Sequence, residues 1–500
     1  MKKTKTYIPW ITTFLMSLFF VAVSSYSTSP LFYGRELDSH IFQYIGFSML
    51  HGKIPYTDLF DHKGLLLYWI NAIGYIIHPR WGLMLLQTFH LTLSMMIWYK
   101  ILKSIKNEWT KYLILITSLI ALYAYYNSGN LTEEWCLLFI SYPILAYFES
   151  QKNNGVFNNK QLFFIGVCLG AIAMIRLNNT APVLGILLCC LIKAVWKKEY
   201  KYIERALKYS FLGFIILPIL GCFHMFCLNG FAGIDDMFYA AILFNLDYAA
   251  NSHIGSHLLG EYSFIYKAIL PMLFLLPSIK KERQNIIVLY ASFVLTALTI
   301  GGASYIHYLE VFIPLLIASF ACMHSFKIKY ASIIILVLLY SKTVYRQFDW
   351  SHFLTSESDD YKEAFDKVIA PIPMEERGNI WNMCGGYMAE DFMCAGLLQQ
   401  NRILLPFQMS ISDRLYEEEN EKIQKIKPKY VLFAIYSGDW QNQGLKYHKK
   451  HGYAESDADL KFVLDNYKVL ATSYLPDGTQ LFCYHLKDTN KNRRLKQAVN

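Results

Sequence analysis

The chain has 500 residues, 54% of them hydrophobic, 16% aromatic and only 17% charged, where soluble domains carry roughly 25% charge. That composition excludes an ordinary water-soluble globular class. A net charge of +9 does not signal nucleic acid either, because Lys and Arg sit between apolar runs rather than on one aromatic-rich stripe.

The first apolar run, Ile8 to Val23, follows Lys2, Lys3 and Lys5. Tyr26 to Tyr33 offers no small-residue cleavage site, so the run reads as a retained span over 8–29 rather than a signal peptide. A long outer loop follows, over about 24–80, in which Gly64 to Ile77 is apolar but short. Counting that segment as a span would put Lys100, Lys103 and Lys106 outside, so it reads as an interfacial helix. Further spans are predicted near 81–99, 112–126, 134–149, 161–176, 180–196, 209–228, 264–279, 285–300, 307–323 and 330–345, for a total of about eleven.

With the N-terminus in the cytoplasm, the inner loops hold about twenty Lys and Arg and the outer loops about five, the bias expected of that orientation. Lys197, Lys198, Lys280, Lys281 and Arg283 are among the inner ones. An odd number of spans then puts the C-terminal part outside. That part alternates helical and strand-like runs: Asp360 to Ile369 is helical, Arg402 to Phe407 and Tyr430 to Tyr436 are strand-like, and Val469 to Leu486 breaks at Pro476-Asp477-Gly478 as a hairpin. The fold class predicted is therefore an α-helical polytopic membrane domain over 1–346, an extracytoplasmic α/β domain over 347–487 and a polar tail over 488–500.

Of the ten cysteines, Cys136, Cys168, Cys189, Cys190, Cys222, Cys227 and Cys322 lie in or beside apolar runs, where the thiol behaves as a small hydrophobe. Cys384, Cys394 and Cys483 remain for the C-terminal part, and no spacing resembles a zinc or haem site. A divalent metal is not indicated, and no cofactor is expected. The richest polar run begins at Glu36 and Asp38, just beyond the first span, and continues through Asp58, Asp61, His62 and Lys63. A helix starting there brings Asp38 and Phe42 onto one face and holds a carboxylate above the bilayer; the bland reading of Asp38 is a helix cap in a solvated loop.

Asp38-Ser39-x-x-Phe42-x-Tyr44-x-Gly46, followed by Gly52-x-x-Pro55-Tyr56-x-Asp58-x-x-Asp61-His62-Lys63-Gly64, resembles the first outer loop of bacterial GT-C glycosyltransferases, relatives of the protein O-mannosyltransferases and of the lipid A aminoarabinose transferase. Three later stretches agree with it: Gly129-Asn130-Leu131-Thr132-Glu133-Glu134, Arg176-Leu177-Asn178-Asn179, and Gly301-Gly302 through His307-Tyr308 to Pro314. All four face outward in the topology read from charge. Leu65 stands where many relatives have Pro, and Ala303 and Ser304 stand where they often have Arg.

The resemblance implies a many-span fold, a sugar donor carried on a polyprenyl phosphate, and Asp38 as the general base that takes the acceptor's proton. The leaving phosphate needs positive charge, for which Arg176, Lys63 and His307 are the candidates; a span-end Arg that merely snorkels is the alternative for Arg176. Asp61, His62, Glu133, Glu134, Asn178 and Tyr308 are candidates for binding acceptor or substrate, with helix capping the alternative for the two glutamates. The partners implied are the lipid-linked sugar, the bilayer of the bacterial cytoplasmic membrane and an acceptor that is a lipid, a glycan or a protein. A flippase for a lipid-linked glycan and a glycan ligase or polymerase are the competing functions. Transporters tend to show paired repeats and spans broken at the midplane, and neither is evident here.

Overall fold

A computed structural model describes residues 4–251, 273, 275–299, 305–348, 350–354, 357–405, 412–435 and 455–487. Most of the run 264–279, the Gly301-Gly302 pair and the tail 488–500 lie outside the described residues.

Among the described residues helices occupy the apolar runs read above, the run 307–323 opening with the 3₁₀ helix Ile306–Phe312. In chain order they are α1 (Thr4–Ser24), α2 (Leu37–Leu50), α3 (Leu65–Ile77), α4 (Gly82–Ile101), α5 (Glu108–Tyr123), α6 (Thr132–Ser150), α7 (Asn159–Ala173), α8 (Ala181–Trp196), α9 (Tyr200–Phe214), α10 (Ile216–Phe238), α11 (Phe244–Asn251), α12 (Ile279–Thr299), α13 (Ile313–Cys322) and α14 (Phe326–Gln347). The polar residues between the runs supply their starts. Asn107 accepts from the Thr110 N–H ahead of α5, and Asn158 and Gln161 form a reciprocal capping box on α7. Among the described residues, four stretches are long and apolar enough to cross a membrane: Tyr7–Ser24, Leu177–Trp196, Tyr200–Tyr248 and Phe326–Gln347. Leu65–Ile77, Asn159–Ala173 and Ile306–Cys322 are apolar but shorter. The expected span at 209–228 is divided between α9 and α10, which meet at Ile215.

The chain forms two compact units, the first comprising Met1–Ser39, Lys63–Asp235 and Ala249–Leu354. Its helices approach backbone to backbone where glycine permits. A Cβ on Gly166 would sit 2.0 Å from the Ser210 carbonyl oxygen, one on Gly170 2.4 Å from that of Phe214, and one on Gly213 2.0 Å from that of Phe163. These contacts join α7 to α9 through small residues, which let two helix backbones approach closely. Gly185 of α8 likewise seats against Ser292 of α12.

The second unit comprises His40–His62, Asp236–Tyr248 and Thr355–Asn500. Its sheet has the order β1-β2-β4-β3, with β1 (Ile380–Met383) parallel to β2 (Tyr430–Ile435), and with β3 (Tyr467–Tyr474) and β4 (Gln480–Leu486) paired antiparallel. The expected hairpin is present. Its turn is held by the Thr479 N–H donating to Asp477 at 2.8 Å, with Gly478 at φ 85°. Trp381, Ile423, Val431, Val463, Tyr467 and Tyr484 form the core between sheet and helices. The strand expected over Arg402 to Phe407 is not formed in its described part. Ile403 makes a single bridge to Phe60, and the Arg402 N–H goes to the Glu419 carboxylate at 2.9 Å instead of a ladder partner. Arg402 instead knots three segments, donating to the Tyr56 carbonyl at 2.7 Å, to Asp236 at 3.3 Å and to Glu418 at 2.6 Å. Burial pushes the Glu419 carboxyl beneath it up to about 7.

Candidate active site

Asp38 occupies the first turn of α2, where the free backbone N–H groups favour a negative side chain. The Glu36 carboxyl, just ahead of the helix, accepts from the Asp38 N–H, and burial together with the Asp38 charge pushes it up to about 7. A buried polar network braces this helix start from below. Ser39 donates to Ser27 at 2.8 Å, and the Asn130 amide donates to Ser39 Oγ at 3.0 Å and to Asn71 of α3 at 2.9 Å. Trp135 Nε1 in turn donates to Asn130 Oδ1 at 3.0 Å.

Asn130 reaches Ser39 only because Ser128, Gly129 and Asn130 all lie at positive φ (64°, 75° and 59°). Glycine and Asn tolerate that region, and a Cβ on Gly129 would also fall 2.2 Å from Ser25 Oγ. Glu134 holds the turn. It accepts from the Asn130 N–H at 2.8 Å, from Tyr126 at 2.6 Å and from Gln87 at 2.9 Å. Both of its oxygens are therefore engaged by the protein.

The cationic side is assembled by a short backbone pairing. The Gly64 N–H donates to the Ile175 carbonyl at 3.0 Å and the Leu66 N–H to that of Met174 at 2.9 Å. This zips the end of the connection between α2 and α3 onto the residues just ahead of Arg176, and so brings Lys63 and Arg176 to one region. The approach requires glycine, since a Cβ at Gly64 would lie 2.1 Å from the Met174 carbonyl oxygen. Gly64→Val is therefore expected to destabilise the fold by about 1–3 kcal/mol through forced overpacking. Melting of the detergent-solubilised protein measures it, and an unchanged midpoint would contradict the pairing.

Arg176 donates from its Nη1 to Glu133 Oε1 at 2.6 Å, and its guanidinium lies over the Tyr308 ring, 4.0 Å from the centroid. Glu133 Oε2 accepts from Thr132 at 2.7 Å and faces His307 Nε2 at 4.0 Å. Asp38 lies within electrostatic range of Arg176, His307 and Tyr308, and Lys63 within range of His307. Asp38, Lys63, Glu133, Arg176, His307 and Tyr308 thus converge inside the first unit.

Other expected residues fall elsewhere. Asn178 is exposed, and its neighbour Asn179 is the one that reaches Glu133, at 3.4 Å. Asp61 and His62 belong to the second unit, where they pair with each other at 3.3 Å and where His62 stacks on Tyr248. Glu310 was not anticipated. It is 1% exposed, lies within electrostatic range of the Glu134 and Glu133 carboxylates, and its Oε2 has no hydrogen-bond partner among the described residues. Its signal in the sequence was the three-residue spacing from His307, which in a 3₁₀ helix such as Ile306–Phe312 puts both on one face.

No protein-family model matches the sequence, and no curated protein matches it. Among solved structures, ArnT from Cupriavidus metallidurans bound to undecaprenyl phosphate superposes with a TM-score of 0.61, over 96% of this chain and 98% of that one, at 10% identity. The chain has the ArnT fold. The apo state of the same ArnT gives a TM-score of 0.58 over 97% and 98% of the two chains at 9% identity. The ArnT likeness therefore runs through both units rather than the helices alone, and it agrees with the resemblance carried by the outer-loop motifs.

Proposed function

We propose that this protein is a membrane glycosyltransferase that moves a sugar from a polyprenyl-phosphate donor to a lipid, glycan or protein acceptor at the outer face of the bacterial cytoplasmic membrane. The observation that carries the reading is the gathering of a carboxylate, Asp38, with Arg176, Lys63, His307 and Tyr308 in one unit, on the fold of a protein that binds undecaprenyl phosphate. ArnT is the lipid A aminoarabinose transferase, a GT-C enzyme, and the motif resemblance points the same way. About eleven spans, a cytoplasmic N-terminus and an extracytoplasmic domain over 347–487 complete the proposed architecture. It puts the outer-loop residues at the headgroup level, where a polyprenyl phosphate presents its anion.

The chemistry follows from the groups at hand. An acceptor hydroxyl attacks the anomeric carbon as Asp38 takes its proton, the bond from that carbon to the phosphate oxygen breaks, and the polyprenyl phosphate leaves with the electron pair. Negative charge grows on the phosphate as the bond breaks. Arg176 and Lys63 oppose it, with His307 and Tyr308 as further donors. Asp61 and His62 are proposed to act on the acceptor side.

Purified protein in liposomes separates transfer from flipping. Given a polyprenyl-phosphate sugar on the face equivalent to the cell exterior and a panel of lipid and glycan acceptors, a transferase releases free polyprenyl phosphate. Movement of the intact lipid-linked sugar across the bilayer without that release would establish a flippase instead.

A further inference from the structure

Glu133, a candidate acceptor ligand by sequence, is fully buried, and protein groups occupy both of its oxygens. Oε1 accepts from Arg176 Nη1 at 2.6 Å and from Asn179 at 3.4 Å. Oε2 accepts from Thr132 at 2.7 Å and faces His307 at 4.0 Å. A sugar hydroxyl finds no free acceptor there. Arg176 is different: its side chain is 19% exposed, one terminal nitrogen is held by Glu133 and its plane is laid against Tyr308. A guanidinium carries five N–H donors in a fixed fork, so fixing one corner and the plane leaves the rest aimed in a defined direction.

We propose that Glu133 is a positioning residue that serves as the resident counter-anion of Arg176, with which the phosphate of a polyprenyl-phosphate donor, and of the product left after transfer, must share the guanidinium. The inference rests on the reading of Arg176 as the donor-phosphate residue. It has two consequences with opposite signs. Without lipid, Glu133 neutralises a mostly buried cation and so stabilises the free protein, because an unpaired buried charge is strongly unfavourable. With lipid bound, the same carboxylate repels the phosphate across a low-dielectric site and weakens its hold. The residue thereby keeps the grip on the product polyprenyl phosphate loose enough for turnover.

Glu133→Gln keeps the shape and removes the charge, which leaves Arg176 without its counter-anion. The full-length protein in nanodiscs is titrated with undecaprenyl phosphate, reading both affinity and melting temperature. The variant is expected to melt below wild type when free, to bind the lipid phosphate about three- to tenfold more tightly and to gain more in melting temperature on saturation, as an uncompensated buried cation would. Turnover should fall while KM for the donor also falls. A carboxylate that merely supports the fold predicts lower melting and weaker binding together, and that result, or unchanged affinity, would overturn the proposal. Should Glu133→Gln fail to fold, Glu133→Asp draws the charge back by one methylene and is expected to tighten binding by a smaller factor; weaker binding there is equally fatal. Wild-type protein that does not bind undecaprenyl phosphate at all would instead overturn the donor reading, a result distinguishable from wild-type binding with no tightening in the variants.

Discussion

Asp38→Asn is expected to lower sugar transfer by about 10²- to 10⁴-fold, the range attributed to a positioned general base, while expression and membrane insertion stay as in wild type. The substitution is nearly isosteric, and the helix start is held by groups other than the Asp38 carboxylate: Ser39 to Ser27 at 2.8 Å, and Asn130 to Ser39 at 3.0 Å. Only the base is lost. Glu36→Gln should cost much less, since the Glu36 carboxyl serves as the cap that accepts from the Asp38 N–H. Because burial and the Asp38 charge raise it to about 7, Glu36 gains a proton as pH falls through neutrality. An inflection in rate near pH 7 that arises from this carboxyl should vanish in Glu36→Gln. Release of polyprenyl phosphate by purified protein is the measurement. Wild-type turnover from Asp38→Asn would remove Asp38 as the base and send the search to Asp61, another acidic residue of the same polar run.

Arg176→Ala should reduce turnover by the equivalent of about 2–4 kcal/mol, the magnitude of a lost transition-state charge contact in a water-poor site. The effect on kcat should exceed that on donor affinity, because charge accumulates on the phosphate only as the glycosidic bond breaks. Arg176→Lys should rescue partly, since an ammonium reproduces the charge but neither the fork nor the stacking on Tyr308 at 4.0 Å. Removing Arg176 also strands Glu133 in the interior, so Arg176→Ala should melt lower than wild type. Combining Arg176→Ala with Glu133→Gln is expected to restore much of the melting temperature and none of the turnover. Recovery of activity in the double variant would show that Arg176 acts only through folding.

The elements were legible in the sequence to the extent that they rest on local patterns. Apolar runs bounded by Lys, Arg and Asn became helices in most of the described residues, although 209–228 divides at Ile215 and 307–323 opens as a 3₁₀ helix, and Pro476-Asp477-Gly478 formed the turn between β3 and β4 because turn chemistry is local. Strand β1 was missed: it is four residues long, carries Asn382 at its centre and forms only because β2 lies parallel to it. Arg402 to Phe407 erred the other way, since an apolar run after an Arg reads as a strand until a buried carboxylate takes the backbone donor.

The site divides along the same line. The chemical types required by base and anion made Asp38, Lys63, Arg176 and His307 visible one by one, because a carboxylate or a cation beside an apolar span is conspicuous in any sequence. Only the tertiary structure decided their partners. Glu133 meets Arg176 across 43 residues, Asn130 meets Ser39 across 91, and Gly64 meets Ile175 through backbone atoms that no side-chain pattern records. The sequence alone thus determined which charges this chain places beside its apolar runs. Which charge neutralises which was left to packing, because burial strengthens a Coulombic contact several-fold and burial is a property of the fold rather than of any stretch of chain.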